Sequence, residues 1–445
     1  MEKPTAHSLS NSDTDIKKIV IAGGGFAGLH LVNRIWRNKA YSITLVDRNN
    51  YNYYPPLLYQ VSTGFLAPSS ISYPFRKMFR NKHLAFRMAN VLRVDPEARV
   101  LYLDNGELTY DLLVFATGCR TNFFGNENIR KYSIPMKTID DALLMRNALF
   151  KNMELAAISK DPAEIRRLLT IVVAGGGPTG VEVSGMLSEI RRFILSKEYP
   201  QFNESSGDIY IVEGGPSLLG AMSEKSHANA YKALEKLGVK IILNTQILDY
   251  TNDEVRLADG RIIGAKTLIW AAGITANTFD GIPQSCIGPG RRMITDGYNK
   301  VIGLDNIYAI GDTSIQFTSE FYPRGHPQMA EVAIQQGSIL ARNLNAMTRN
   351  KPLKKFRYID EGEMAVIGRT NAVVDLFKHR LHFRGLIALL MWLGVHLLTL
   401  VNFANIFSTL ITWIVAYISR DQSLRMIFRP ETVRAEDNQL NTQKT

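Results

Sequence analysis

The sequence predicts an α/β protein built from two parallel-sheet units, the second inserted in the first, with a C-terminal helical segment suited to a membrane surface. Three observations carry this expectation. A strand, glycine-turn and helix passage occurs twice, as "IVIAGGGFAGLH" at 19–30 and "IVVAGGGPTGVE" at 171–182. Two apolar runs, "LLVFATG" at 112–118 and "TLIWAAG" at 267–273, match each other as buried strands at the end of each unit; strands covered on both faces read in this continuous way. Finally, the stretch from Gly385 to Ser419 contains no Asp, Glu, Lys or Arg.

The 445 residues suffice for two or three domains with proper cores. A hydrophobic content of 46% with 21% charged residues is ordinary for a globular enzyme and excludes a disordered chain. Residues 1–15 are polar and form no secretory signal, and residues 430–445 read as a solvated tail. Cys119 and Cys286 stand alone, with no metal spacing and no neighbouring dithiol. An intracellular chain without a metal is expected. The net charge of +11 suits an anionic membrane surface. No zinc finger, RNP-like pattern or recognition helix accompanies it, so nucleic acid is not expected as a partner.

The first unit has every part of a dinucleotide fingerprint. "KKIVIA" leads into Gly23, Gly25 and Gly28, a helical run follows, and the next strand, "YSITLVD", ends in Asp47. The first glycine permits the tight turn, the second lets the backbone approach a pyrophosphate, and the third lets helix and strand pack closely. Phosphates sit at the helix N-terminus, where free N–H groups favour anions. The Asp47 carboxylate suits a ribose diol.

The second unit repeats the pattern with Gly175, Gly177 and Gly180, and its acid is Glu213 at the end of "DIYIVE". A longer helix and the loop "SKEYPQFNESSG" absorb the extra length. "GGPS" follows Glu213, with no Arg or Lys to greet a 2′-phosphate. A carboxylate about 4 Å from that phosphate costs about 4 kcal/mol at an effective dielectric of 20. This site is expected to prefer NADH to NADPH; the alternative is a solvated strand-end Glu.

"NIYAIGD" at 306–312 is a short strand stopped by Gly311 and Asp312, where the chain returns to complete the first unit. The expected map runs 16–130 for the first nucleotide domain, 131–275 for the second, 276–350 for the return, and 351–429 for a C-terminal anchoring region. In that region Asn402, Asn405, Thr409, Thr412 and Ser419 recur at helical spacing, with Phe403, Ile406, Phe407, Leu410, Trp413, Ile414 and Tyr417 on other faces. Basic residues flank both ends: Lys378, Arg380 and Arg384 before, Arg420, Arg425 and Arg429 after. The pattern favours helices lying in the membrane interface over a single span, with ordinary core helices third.

Taken together, these residues resemble the two-dinucleotide-binding flavoproteins of the glutathione-reductase type, in which two Rossmann-like domains hold FAD and NAD(P)H. Within that group the chain is similar to the type II NADH:quinone oxidoreductase family. "LVDRNNYNYYPPLLYQVSTG", "AGGGPTGVEVSG", "YAIGD" and "PQMAEVAIQQG" carry the likeness, over about residues 17–420. The resemblance implies an FAD-dependent enzyme that takes hydride from NADH and gives two electrons to a lipid quinone, ubiquinone or menaquinone, without pumping protons. It further implies attachment at the cytoplasmic face of the inner (plasma) membrane, and it is compatible with a homodimer.

By the same resemblance, Gly23, Gly25, Phe26, Ala27 and Gly28 hold the FAD pyrophosphate, and Asp47 holds the adenosine ribose with Arg48 beside it. Val91 offers its backbone to the adenine, while Thr117, Gly118, Asp312 and Ala333 belong to the flavin side. Ala272 and Gly273 join Gly175, Gly177, Gly180 and Glu213 at NADH. Glu182 would lie between nicotinamide and flavin; the plainer reading is a helix-start acid gaining about 0.3–1 kcal/mol from the dipole. The quinone-side motif, usually Ala-Gln-x-Ala-x-Gln, here runs from Ala330 to Gln335 with Glu331 in place of the first Gln. Gln335 remains a candidate hydrogen-bond donor. Glu331 can donate only when protonated, or it simply faces solvent. Two rival readings are a sulfide:quinone oxidoreductase, which would need paired cysteines by the flavin, and an NADH-sensing flavoprotein acting through protein association.

Overall fold

The computed structural model describes residues 16–203, 206–419 and 424–428. Two compact units emerge. The first takes the described part of Met1–Asn52 with Pro74–Cys119 and Thr275–Ile359. The second takes Tyr53–Tyr73, Arg120–Ile274 and the described part of Asp360–Thr445.

Along the chain, the first unit opens with β1 (Lys17–Ala22), α1 (Phe26–Ile35) and β2 (Tyr41–Asp47), then adds β3 (Ala85–Met88) and β4 (Leu112–Phe115). The second unit supplies β5 (Ile134–Pro135), β6 (Ile171–Ala174), α2 (Pro178–Ile190), β7 (Ile209–Val212), β8 (Val239–Ile242) and β9 (Thr267–Trp270). The chain re-enters the first unit for β10 (Ile307–Ala309) and α3 (Ala330–Met347). It finishes in the second with β11 (Glu363–Ile367), β12 (Asn371–Leu376), β13 (Leu381–Arg384), α4 (Gly385–Leu398) and α5 (Phe403–Ser419).

Each unit is organised by a five-stranded parallel sheet, in the order β10-β4-β1-β2-β3 in the first and β5-β9-β6-β7-β8 in the second. The β-branched runs "IVIA" and "IVVA" suit such strands because their side chains pack on both covered faces. Ile19, Ile21, Leu31, Val32, Ile35 and Leu45 are buried in the first core. Each contributes about 1.5–3 kcal/mol by leaving water. In that core α3 crosses α1 closely: a Cβ added at Gly337 would stand 2.4 Å from the Ala27 carbonyl oxygen.

The described residues from Asp360 onward group with the second unit. There β11, β12 and β13 form an antiparallel sheet against α2. Small residues permit the contact, since a Cβ at Gly185 would lie 2.4 Å from the Gly368 nitrogen. The long uncharged stretch is broken between Leu398 and Phe403 into two helices. Among the described residues no helix is long and apolar enough to cross a membrane.

Candidate functional site

In the first unit, β1 delivers Gly23 with φ of +106°, where a Cβ would lie 2.3 Å from the Ala116 carbonyl oxygen. Only glycine fits there. A Cβ at Gly28 would lie 1.9 Å from the Gly23 oxygen, whereas one at Gly25 would meet no protein atom within 4 Å. Gly25 caps α1 without any side-chain hydrogen bond, so the first-turn N–H groups at Phe26, Ala27 and Gly28 are not used by a side-chain cap. Open space over such donors is what a pyrophosphate requires.

Asp47 closes this cradle. Its Oδ2 accepts the Gly24 N–H at 2.7 Å and its Oδ1 accepts the Asn49 N–H at 2.8 Å. Burial pushes its pKa up, against the pull of those two N–H groups and the Arg48 charge. Arg48 itself is exposed, and Val91 stands half-buried at the start of the strand Val91–Asp95. Asn52, not anticipated, donates from Nδ2 to the Gly24 carbonyl at 2.8 Å and so braces the turn from its other side.

The turn Gly311–Thr313 brings a further set together within the same unit. The hydroxyls of Thr117 and Thr313 lie 2.9 Å apart, and Thr313 donates to the Gly118 carbonyl at 3.2 Å. Asp312 accepts the Cys119 thiol at 2.9 Å on Oδ2, and its carbonyl accepts Gln328 Nε2 at 2.9 Å. Gln336, also unforeseen, accepts the Gly311 N–H at 2.6 Å. Ala333 is buried beside Gly311. Glu331 and Gln335 are half-buried in the first turns of α3.

The second unit builds an equivalent cradle. Gly175 has φ of +101° with Ala271 crowding its Cβ position; a Cβ at Gly180 would lie 1.9 Å from the Gly175 oxygen, while Gly177 is open. Glu213 accepts the Gly176 N–H at 2.5 Å and the Gly215 N–H at 2.7 Å. Its carboxylate is therefore fixed on the glycine turn, as Asp47 is in the first unit, and the picture of a freely solvated strand-end acid does not hold. After β9, Ala272 is exposed and the Gly273 carbonyl accepts the Asn122 N–H at 3.0 Å.

Glu182 is only 8% exposed, so it is no surface acid at a helix start. Burial pushes its pKa up to about 8, opposed by the Val366 N–H at 3.4 Å and by the neighbouring Trp392 indole. An aromatic and polar cluster surrounds this part of the unit. Trp392 stacks on His396 with centroids 3.8 Å apart. Burial pushes His396 down to about 4, leaving it neutral. Gln60 accepts the Trp413 indole N–H at 2.8 Å and donates to the Tyr59 hydroxyl at 3.0 Å. No local sequence pattern announces these partners, which come from separate parts of the unit.

On α5 the side turned to protein carries polar residues. Asn405 donates to the Ser72 carbonyl at 3.0 Å and Thr409 to that of Ser70 at 3.4 Å, so these two members of the polar stripe face protein. Phe403, Phe407 and Ile418 are 89%, 68% and 79% exposed. On α4, Leu386, Ile387 and Leu390 are exposed too. The Asn405 and Thr409 bonds satisfy the carbonyls of Ser72 and Ser70, at the end of the helical turn Pro68–Ile71. Cys119 and Cys286 are buried free thiols with separate partners, Asp312 and the Ile302 carbonyl. Among the described residues no group of His, Cys, Asp or Glu is set to hold a metal ion.

Comparison with known proteins agrees with this geometry. Residues 17–337 match the pyridine nucleotide-disulphide oxidoreductase family. The chain is 32% identical over 421 residues to the type II NADH:quinone oxidoreductase NdhA of Mycobacterium tuberculosis, covering 91% of this chain and 87% of that one. It is 28% identical to the type II NADH:quinone oxidoreductase of Haemophilus influenzae, over 81% and 87% of the two chains. Among solved structures, NDH2 of Plasmodium falciparum in complex with NADH superposes with a TM-score of 0.83 at 21% identity, over 93% of this chain and 100% of that one. Twin glycine cradles with their own acids, and close likeness along nearly the whole length, place the chain in the type II NADH:quinone oxidoreductase family of the pyridine nucleotide-disulphide oxidoreductases.

Proposed function

We propose that this chain is an FAD-dependent NADH:quinone oxidoreductase that passes two electrons from NADH to a membrane quinone and pumps no protons. The observation that carries the reading is the pair of glycine turns, each clasped by its own carboxylate, Asp47 on Gly24 and Glu213 on Gly176. One cradle serves a resident cofactor, the other a substrate. The residues fit FAD in the first unit, because Gly25 leaves open space at an uncapped helix start and the Asp47 oxygens retain lone pairs for ribose hydroxyls. Gly23, Gly25, Phe26, Ala27, Gly28, Asp47, Arg48, Val91, Thr117, Gly118, Asp312 and Ala333 would hold it. Bound FAD supplies the two-electron chemistry that links a hydride donor to a quinone.

In the second unit Gly175, Gly177, Gly180, Ala272 and Gly273 would receive NADH, with Glu213 taking the adenosine ribose and opposing a 2′-phosphate. Glu182 would keep a neutral carboxyl by the nicotinamide. Glu331 and Gln335 would serve the quinone end. The test is anaerobic mixing of the purified protein with NADH, then with menaquinone or ubiquinone analogues, while flavin absorbance is followed. Bleaching by NADH and recovery by quinone are expected. Bleaching without quinone turnover would favour the sensing alternative. Glu213→Gln should cut the preference for NADH over NADPH by about tenfold or more, since removing the clash is worth at least about 1.4 kcal/mol; an unchanged ratio would refute this role.

The exposed apolar faces of α4 and α5 support docking on a membrane surface, where each large side chain gains up to about 1.5–3 kcal/mol; the family resemblance places this at the cytoplasmic face. The triple change Phe403→Ser, Phe407→Ser and Ile418→Ser touches only exposed positions. Co-sedimentation with anionic vesicles should fall at least about tenfold while the melting temperature holds. Undiminished vesicle binding would argue against these helices as the anchor.

A further inference from the structure

By the resemblance Gln335 is a candidate hydrogen-bond donor to a quinone, and Glu331 stands where the family usually has Gln and can donate only when protonated. Both side chains have partners on the segment that ends at Ile359. The Gln335 Nε2 donates to the Ile359 carbonyl at 2.7 Å, and its Oε1 accepts the Ile359 N–H at 2.9 Å. This two-way clasp ties the chain at Ile359 to α3. Beside it, the Tyr358 hydroxyl donates to Glu331 Oε2 at 3.2 Å. Glu331 and Gln335 are four residues apart, on one face of the helix. The Tyr358 ring is further held by Tyr322 at 5.4 Å and by His326 at 5.8 Å between centroids, and His326 is itself only 5% exposed. A phenol is thus placed by packing and by the clasp onto a half-buried acid.

We infer that Glu331 is the acid that supplies the proton completing quinol formation, and that Tyr358, set by the Gln335 clasp, is its positioning residue. The inference rests on the reading above that the start of α3 serves the quinone. The balanced reaction is NADH + H⁺ + quinone → NAD⁺ + quinol. The hydride accounts for two electrons and one hydrogen, so one further proton is required. In that step the Glu331 O–H bond breaks and an O–H bond forms on a quinone oxygen. The electron pair stays behind as the Glu331 carboxylate, where the Tyr358 hydroxyl donates to it. Because Glu331 is partly exposed, water returns the proton. An amide at this position could offer a hydrogen bond but could not release a proton.

The full-length holoenzyme tests this with NADH and two acceptors, a short-chain soluble quinone and ferricyanide, which takes electrons without protons. Glu331→Gln should lower quinone turnover about a hundredfold, the low end for loss of a general acid, and affect ferricyanide reduction far less. Glu331→Asp should recover part of the quinone rate. Tyr358→Phe, which keeps the ring, should lower the quinone-to-ferricyanide ratio and enlarge the solvent deuterium isotope effect on quinone turnover, and Gln335→Ala should do the same. Flavin content and melting temperature identify variants that fold. Equal losses with both acceptors in a folded variant, or quinone turnover in Glu331→Gln matching the parent, would overturn the assignment. A parent enzyme that reduces ferricyanide but no quinone would overturn the reading beneath it as well.

Discussion

Gly28→Ala is expected to purify nearly colourless. The added Cβ would stand 1.9 Å from the Gly23 carbonyl oxygen, and the obstructing atom is backbone, anchored just past β1 by the Gly23 N–H donating to the Val46 carbonyl at 2.7 Å. Forcing even one methyl into a well-packed site typically costs about 1–3 kcal/mol, and each 1.4 kcal/mol taken from cofactor binding is about a tenfold loss of affinity. Gly25→Ala separates the two duties of the turn. Its Cβ meets no protein atom within 4 Å, so the fold should tolerate it. The methyl would instead fill the space above the helix start that a pyrophosphate needs. The melting temperature of the flavin-free protein should therefore drop for Gly28→Ala and hold for Gly25→Ala, while both lose flavin absorbance per chain. Retention of a full complement of flavin by Gly25→Ala would show that the cofactor does not lie over that turn.

Glu182→Gln should remove a pH dependence as well as activity. Burial raises the folded-state pKa from the ordinary 4.5 to about 8. Between those values the folded chain keeps a proton that the unfolded chain has released. The stability from this proton is fully present below pH 4.5 and is lost as the pH rises through about 8. One pKa unit corresponds to about 1.36 kcal/mol, so the loss amounts to a few kcal/mol in order of magnitude. Glutamine keeps the shape and never ionises. Its melting temperature should exceed that of the parent at pH 9 and differ little at pH 5, as calorimetry at the two values would show. Stopped-flow flavin reduction by NADH should change with pH near 8 in the parent, and should be slower and nearly flat in the variant. A parallel pH profile in both proteins would rule Glu182 out as the titrating group.

The clasp at Gln335 and the inward turn of Asn405 mark where the sequence stops being legible. A glutamine in a helix pattern is a free donor until tertiary contacts show what occupies it. The polar spacing on α5 correctly signals an amphipathic helix. Which face meets protein depends on donors owed to the Ser70 and Ser72 carbonyls, far away along the chain. Glu182 shows the same limit: its position in the helix was plain, but its burial depends on the sheet that arrives with Val366.

What the amino-acid order alone determined was local and periodic. The glycine turns, the acids at strand ends and the continuous apolar strands follow from backbone sterics and from a repeat of two or 3.6 residues, which neighbouring residues carry themselves. What only the folded chain decided was non-local: the raised pKa of Glu182, the phenol on Glu331, and the apolar face left outside on α4 and α5. Desolvation and hydrogen-bond satisfaction belong to groups brought together from distant segments, so no window of sequence contains them.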